Sequence, residues 1–273
     1  MRKAFTLIEL IFVIIIFGIM SSFGAELLYK VYENYVYSNT FNRLQNQSEA
    51  AVKQIANRLQ YRIKDSTIAR VGTGGGILEI GDNIANATVL EWIGTDIDGW
   101  RGTTRPTWSG FIDLDASLVG TLSSPGSSLN QNGAIFFIGS DVNLSTDFGW
   151  GSAINNQSKS LHPVTMAGTS ISDNTTGAAD FSGADIYEYY QYTRTAYAIH
   201  LNGTNLILYD NYQPWDGDNI NTVATRTASL LMENVSSFKF TSMGDILIIQ
   251  VCVSDGNVTG VGEYSVCKEK VVF

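Results

Sequence analysis

The side chains best suited to metal chemistry are aspartates in two turn-like stretches. Asp96 and Asp98 lie in TDIDGW, and Asp210, Asp216 and Asp218 lie in YDNYQPWDGDNIN. Clustered carboxylate oxygens suit Ca²⁺, but neither stretch has the glycine and the terminal glutamate of an EF-hand loop in their places. Two interpretations of Asp216 and Asp218 stay open, a Ca²⁺ site and a pair of solvated turn residues. No other cofactor is indicated.

The two histidines, His162 and His200, are the natural candidates for acid–base catalysis. His162 precedes Pro163 in a stretch that we interpret as a polar loop, and His200 lies in a predicted strand. The chain contains no G-x-S-x-G or H-E-x-x-H motif. The glycine-rich VGTGGGILEIGD precedes a strand and lacks the lysine of a phosphate-binding loop. We therefore expect a protein that is not an enzyme.

Cys252 and Cys267 are the only cysteines in the sequence, and they fit neither a zinc site nor a C-x-x-C redox motif. Outside the cytoplasm such a pair favours a disulfide. The bond would close a loop of about 15 residues, worth about 3 kcal/mol in the chain-entropy model. Two reduced thiols are the alternative.

The composition indicates a β-rich domain that does not bind nucleic acid. The 273-residue chain has a formal net charge of −9 and no run of Lys and Arg, so we expect it to repel phosphate backbones. Glycines (26) far outnumber prolines (4), and Ser, Thr, Asn and Asp are dense after Gly72. Such sequences are typical of strands joined by loops.

Glu9 is the single ionised side chain between Phe5 and Ala25. An apolar run of this length is enough to cross a bilayer as a helix. Two basic residues precede the run, which predicts a cytoplasmic N-terminus and an exported remainder. A cleaved secretory signal is the alternative, because Ser21–Ala25 imitates a small-residue cleavage site.

The helical pattern continues past the apolar run up to Asp65. Apolar residues recur there at the spacing of one helix face: Val52, Ile55, Ala56, Leu59 and Ile63. A single helix over this whole span would be roughly 90 Å long. We expect residues 5–25 to form a transmembrane and filament-core helix and residues 26–66 its amphipathic continuation. The alternative is a break near Ser38–Asn39.

The stretch KAFTLIEL resembles the processing site of type IV pilins and type II secretion pseudopilins. The resemblance implies that Met1–Ala4 is a cytoplasmic leader, which prepilin peptidase removes by cutting between Ala4 and Phe5. It also implies N-methylation of Phe5. The family usually has glycine before the cut, where this chain has Ala4. Glu9 corresponds to a glutamate that is a hallmark of the family.

The resemblance gives Glu9 a role in assembly. In a filament, Glu9 of one subunit is expected to pair with the Phe5 amine of its neighbour. Each of these charges is costly in an apolar environment, and pairing offsets the two costs. The implied partners are other pilins or pseudopilins, prepilin peptidase and the bacterial inner membrane. A glutamate that reaches the lipid headgroups without a partner is the alternative.

Beyond Gly72 the sequence predicts strands. Short ones are expected at Gly76–Ile80, Ala87–Gly94 and Gly133–Gly139. The segment Gly139–Asp185 consists mostly of loop-forming residues, and we interpret it as a long loop.

Two hairpins and a final strand are predicted near the C-terminus. Asn202-Gly203 between alternating runs is a strong hairpin signal, and a second turn is expected near Met243–Asp245. The strand EYSVCKEKVVF would then bring Cys267 back to Cys252. The predicted fold class is α+β and type IV pilin-like: a long N-terminal helix packs on a mostly antiparallel sheet in a periplasmic domain, residues 67–273.

Parts of the domain also resemble J-type pseudopilins and W-type minor pilins. The resembling stretches are QIANRLQYRI, TAYAIHLNGTNLILYD and LLMENVSSFKF. The resemblance implies a structural minor subunit that aids filament initiation or tip assembly in a pilus or a secretion pseudopilus. The alternative is an adhesin or ligand-binding module mounted on the filament, with residues 139–185 carrying the binding.

Two further patterns predict surface features. Five tyrosines in DIYEYYQYTRTAY alternate in a way that predicts part core and part exposed interface: Tyr187, Tyr189, Tyr190, Tyr192 and Tyr197. The stretches DVNLS and DGNVT match the extended acceptor sequence of some bacterial N-glycosylation systems. Asn143 and Asn257 are therefore candidate glycan sites.

Overall fold

The computed structural model describes residues 6–81, 84, 86–97, 108–177, 180–255 and 264–273. Four of the predicted site residues lie outside these ranges: Ala4, Phe5, Asp98 and Asn257. The leader Met1–Ala4 lies outside them as well.

One continuous helix, α1, runs from Leu7 to Leu59. It has no break near Ser38–Asn39, so the single-helix prediction is confirmed. Its buried residues recur at intervals of three and four, which places them on one face. They are Thr40, Leu44, Ser48, Ala51, Val52, Ile55, Ala56 and Leu59.

The helix ends six residues before the predicted Asp65, because the following residues pair with the sheet. The Ile63 amide donates to the Ile93 carbonyl at 2.9 Å, and Arg62 forms a β-bridge with Gly94. The Arg62 guanidinium donates to the Leu59 carbonyl at 2.9 Å and so caps the last turn of the helix. Apolar spacing alone does not reveal this change, since Ile63 is buried either way.

The described residues form fifteen strands. They are β1 (Ile68–Arg70), β2 (Leu78–Glu79), β3 (Val89–Thr95), β4 (Ser109–Phe111), β5 (Asp113–Leu118), β6 (Thr121–Ser123), β7 (Leu129–Phe137), β8 (Leu161–Gly168), β9 (Ser170–Asp173), β10 (Tyr189–Asn202), β11 (Asn205–Tyr212), β12 (Thr227–Met232), β13 (Val235–Met243), β14 (Ile246–Asp255) and β15 (Tyr264–Val272). Their pairings are all antiparallel among the described residues, which confirms the α+β fold class.

The larger sheet forks at its central strand, β10. One side of β10 pairs with β4 and β3, and the other side pairs with β7 and β11. From β7 the sheet continues through β8, β9 and β6 to β5, and from β11 it continues to β12. The strand is long enough for this arrangement, since it spans 14 residues.

The smaller sheet, β13–β14–β15, packs against the C-terminal half of α1. Cys252 in β14 lies directly opposite Cys267 in β15, and the two are joined by the predicted disulfide. The main apolar core lies between this sheet, α1 and the larger sheet, with Leu59, Trp92 and Ile249 fully buried in it.

The interpretation of Gly139–Asp185 as a long loop is wrong. The segment contains β8 and β9, which add to the larger sheet beside β7. Most residues of β8 are buried on both faces, so the strand lacks the alternation that marks a half-buried strand. His162, expected in a polar loop, is a buried residue of β8 with 1% of its surface exposed.

The C-terminal hairpins form as predicted, with one shift of a residue. Asn202 pairs with Asn205, so the first turn is Gly203-Thr204 rather than Asn202-Gly203. Gly203 adopts a left-handed φ of 62°, which a glycine accepts without strain. The second turn lies between Met243 and Ile246, as expected.

Candidate functional site

Glu9 caps the N-terminus of α1. Its Oε2 accepts hydrogen bonds from the Thr6 amide at 3.0 Å and from the Thr6 hydroxyl at 2.9 Å. Thr6 has extended backbone angles, and its carbonyl accepts the Glu9 amide at 3.1 Å. A carboxylate in the first turn also interacts favourably with the helix dipole. Sequence reasoning missed this contact, although T-x-x-E before an apolar run is the capping-box signature.

The first half of α1 projects from the domain without a core of its own. No residue between Leu7 and Tyr32 is buried or half-buried, and the exposed side chains include large ones such as Phe17 and Phe23. By length and composition the helix is able to cross a membrane. Exposing this much apolar surface to water is strongly unfavourable, so the segment needs lipid or neighbouring helices around it.

The apolar character continues beyond the predicted membrane run. Leu27, Leu28, Val31, Tyr32 and Tyr35 remain more than half exposed. This stretch also has an ion pair on its surface, in which Lys30 contacts Glu26 at 2.8 Å. Such an exposed pair contributes little to stability. The amphipathic continuation of the helix is therefore exposed over its first turns. It first contacts the sheets at Tyr37, whose ring lies 4.9 Å from the Tyr264 ring, and its residues are buried from Thr40 onward.

A buried ion pair holds two loops of the domain in place. Arg70 in β1 contacts Glu91 in β3 at 3.0 Å, and both side chains are buried. The Arg70 guanidinium also donates to the carbonyls of Gly75 and Trp150. Burial raises the pKa of the Glu91 carboxyl, and the Arg70 charge opposes this shift. The pair therefore ties two loops to the sheet.

His162 and His200 have structural surroundings. The His162 ring lies 5.0 Å from the Phe137 ring, and its Nδ1 is 2.9 Å from Gln157 Oε1. Because an amide oxygen only accepts, the Nδ1–H donates in this bond. Burial lowers the pKa of His162 to about 4. His200 lies in β10, as predicted, and stacks on Tyr209.

The aspartates proposed for Ca²⁺ form a small pair. Asp216 ends a short 3₁₀ turn, and Asp218 Oδ2 accepts the Gln213 amide at 3.1 Å. Burial and the neighbouring Asp218 raise the pKa of Asp216. In the ranges that the structure describes, no three His, Cys, Asp or Glu side chains come together as a metal site would require. Asp96 is buried and lies 4.0 Å from Arg194.

The tyrosine-rich stretch divides between core and surface. Tyr190 and Tyr192 are fully buried, and Tyr197 stacks on Trp92 at 5.7 Å. Tyr187 and Tyr189 are exposed. Three further apolar residues on or beside the strands that pair with this stretch are exposed as well, and we call the five residues the aromatic patch: Trp108, Phe111, Ile138, Tyr187 and Tyr189. The strands that carry it pair directly, since Tyr189 lies opposite Phe111.

Comparison with known protein families identifies the N-terminal segment. The model of the prokaryotic N-terminal methylation motif matches residues 1–25. The match supports the resemblance to type IV pilins and pseudopilins and points to a structural subunit. No curated protein and no solved structure matches the chain.

Proposed function

We propose that this protein is a minor pilin or pseudopilin, a structural subunit incorporated into a type IV pilus or a type II secretion pseudopilus. The observation that carries the proposal is the projecting part of α1, which is mostly apolar, has no buried residue and is continuous with the part of the helix that packs on the domain. At 1.5 Å per residue, the fully exposed part from Leu7 to Tyr32 is about 40 Å long. That is more than a bilayer requires.

The mechanism begins with processing at the inner membrane. The N-terminus is cytoplasmic and the domain periplasmic, as the two basic residues before the apolar run favour. Prepilin peptidase cuts between Ala4 and Phe5, and Phe5 is N-methylated. The subunit then leaves the bilayer and joins the filament through its N-terminal helix, where it aids initiation or tip assembly.

Glu9 sets the position of the incoming subunit. Its two hydrogen bonds from Thr6 both end on Oε2, and its Oε1 accepts no bond from the described residues. In the filament, the carboxylate pairs with the Phe5 amine of a neighbour. Because both charges lie in apolar surroundings, an offset in register leaves each without its partner, which is costly.

The test compares two glutamates of the same helix in the full-length chain. Glu9→Gln removes the carboxylate inside the apolar run, and Glu26→Gln removes an exposed carboxylate whose partner is Lys30. Both variants should remain in the membrane fraction. The amount of Glu9→Gln in sheared filaments should fall by at least about tenfold, which corresponds to 1.4 kcal/mol.

Glu26→Gln should enter filaments as the wild type does. Normal incorporation of Glu9→Gln would contradict the proposed role, as would equal losses for the two variants.

A second function, an adhesin mounted on the filament, is favoured by the aromatic patch. Exposed apolar groups of this kind commonly mark binding surfaces. If the patch binds a surface ligand, Tyr189→Ala should weaken adhesion of filaments without reducing their number. Leu118→Ala, at an exposed position of β5 outside the patch, is the control for loss of an exposed apolar side chain. Unchanged adhesion of Tyr189→Ala filaments would remove this second function.

A further inference from the structure

The sequence contains eight N-x-S/T triplets, and two of them have an acidic residue two positions before the asparagine. The eight asparagines are Asn46, Asn86, Asn143, Asn156, Asn174, Asn202, Asn234 and Asn257. Asp141 precedes Asn143 in this way, and Asp255 precedes Asn257. Solvent exposure in the structure distinguishes these triplets as possible acceptors.

The segment from Asp141 to Ser145 exposes its recognition residues to solvent. Asp141, Asn143 and Ser145 are exposed. Val142 and Leu144, which alternate with them, are half-buried and pack against an apolar core that contains Phe148 and Trp215. Residues 144–146 form a turn, and the inward packing of the two apolar side chains leaves the other three side chains exposed to solvent.

The backbone of this segment is held in place. The Asn143 amide donates to Asp147 Oδ2 at 2.9 Å, and the Asn143 carbonyl accepts from the Asp147 amide at 3.0 Å. The Ser160 hydroxyl donates to the Asp141 carbonyl. Asn143 Oδ1 accepts the Ser145 amide at 3.1 Å, whereas Asn143 Nδ2 bonds to no described residue. The nitrogen that a glycan would occupy is therefore accessible.

The other triplets are less suited to accept an oligosaccharide. Ser48, which completes the Asn46 triplet, is fully buried on α1. Asn156 resembles Asn143, since its Oδ1 also accepts the amide of the serine two residues on, but Ile154 replaces the acid. Asn257 lies outside the described residues, and the carboxylate of Asp255 contacts Arg43 at 2.8 Å. The Asp141 carboxylate has no such partner among the described residues.

We propose that Asn143 is the acceptor of an N-linked oligosaccharide. A bacterial oligosaccharyl transferase would supply the sugar from a polyprenyl diphosphate carrier. The Asn143 Nδ2–C1 bond forms, the bond between the sugar C1 and the diphosphate oxygen breaks, and one amide proton leaves with the diphosphate. The carboxylate of Asp141 and the hydroxyl of Ser145 are the recognition groups. The proposal rests on the periplasmic location given under the proposed function.

The test uses the full-length chain in a bacterial host that carries such a transferase and its lipid-linked oligosaccharide. Only the membrane fraction with the Cys252–Cys267 disulfide is scored, because that bond reports export independently of glycosylation. Intact mass should increase by one oligosaccharide, and peptide mass spectrometry should locate it on Asn143. Host cells with an inactive transferase provide the background.

Three variants test recognition, and a fourth is the control. Asn143→Gln should abolish the mass increase. Asp141→Asn and Ser145→Ala should each lower occupancy by at least about tenfold, because a site built to bind a polar group rejects a substrate that lacks it. Thr146→Ala removes a neighbouring hydroxyl, which donates to Asp147, and should leave occupancy unchanged. Equal urea midpoints would show that all variants fold.

Three results would overturn the proposal. One is an unmodified exported chain in cells where a separate acceptor peptide is modified. Another is occupancy of Asn143 that does not change in Asp141→Asn and Ser145→Ala. The last is an oligosaccharide found on Asn156 or Asn257 with Asn143 unmodified.

Discussion

The two halves of α1 differ in what stabilises them. From Thr40 to Leu59 the helix buries a regular stripe against the sheets, whereas from Leu7 to Asn39 no residue is buried. Both halves are rich in apolar side chains, so hydrophobicity alone does not distinguish them. The docked half buries its apolar side chains against the sheets of the same chain. The projecting half can bury its apolar side chains only in lipid or against other subunits.

The charges of the domain and those of the projecting half of α1 differ in a similar way. Arg70 and Glu91 neutralise each other inside the domain, at a distance of 3.0 Å. Glu9 has Thr6 as its partner within the chain but no cation among the described residues. The Arg70–Glu91 pair therefore needs no partner from outside the chain. Glu9 has no counter-ion within the described residues, so a cation from a neighbouring subunit would stabilise it.

The largest effect expected from this comparison concerns core packing. Leu59→Ala removes a fully buried side chain from the docked half and should lower the free energy of unfolding by about 4 kcal/mol. Ile15→Ala, in the projecting half, is the matched variant and should leave that free energy unchanged, since Ile15 contacts no core. Urea unfolding of the full-length chain in detergent, followed by tryptophan fluorescence, measures both. Equal losses for the two variants would break the comparison.

A somewhat smaller effect is expected when the buried ion pair loses one member. Arg70→Met leaves the Glu91 carboxylate buried without its counter-ion and should cost about 3 kcal/mol at neutral pH. The double variant Arg70→Met with Glu91→Leu should recover part of this loss, because it removes the unpaired charge as well. The same urea unfolding experiment applies. A double variant that is less stable than Arg70→Met would show that the pair is not the cause.

The smallest effect depends on acid. The pKa of His162 is about 4 in the folded chain and near 6.5 when unfolded, so below pH 6.5 the unfolded state binds a proton that the folded state does not. Stability is therefore lost as the pH falls from 6.5 towards 4, by about 2 kcal/mol between pH 7 and pH 5. His162→Gln, which keeps a donor for Gln157, should reduce this loss.

His200→Gln is the control for the acid experiment. Burial also lowers the pKa of His200, but this side chain is only half-buried, so its contribution should be smaller. Unfolding midpoints in urea at pH 5 and pH 7 provide the measurement. A wild-type chain that is equally stable at both values would contradict the assignment to His162.

The sequence predicts the features that a local pattern of residues encodes. The long helix follows from its unbroken apolar pattern, and the hairpin near Met243 follows from its turn residues. The disulfide follows from a single pair of cysteines with a plausible loop. Each of these depends on local spacing, which a sequence displays directly.

Features that depend on distant partners were missed. The helix ends at Leu59 because Arg62 and Ile63 bond to residues of β3, some thirty positions further along the chain. Both faces of strand β8 are covered, since Leu161 belongs to one apolar core and Val164 to another, so its residues show no alternation. The Arg70–Glu91 pair joins two strands that the sequence did not show to be neighbours. Of the Glu9 site, the sequence predicted the residue but not its bonds to Thr6.

The most direct test of the pilin-like account is the N-terminal residue of the protein after coexpression with an active prepilin peptidase. If the chain is processed as a pilin, it should begin with N-methylated Phe5 and lack the mass of Met1–Ala4. An inactive peptidase should leave Met1 in place. If the peptidase processes a known pilin in the same cells but this chain keeps Met1, or begins after Ala25 as a cleaved signal would, the account is contradicted.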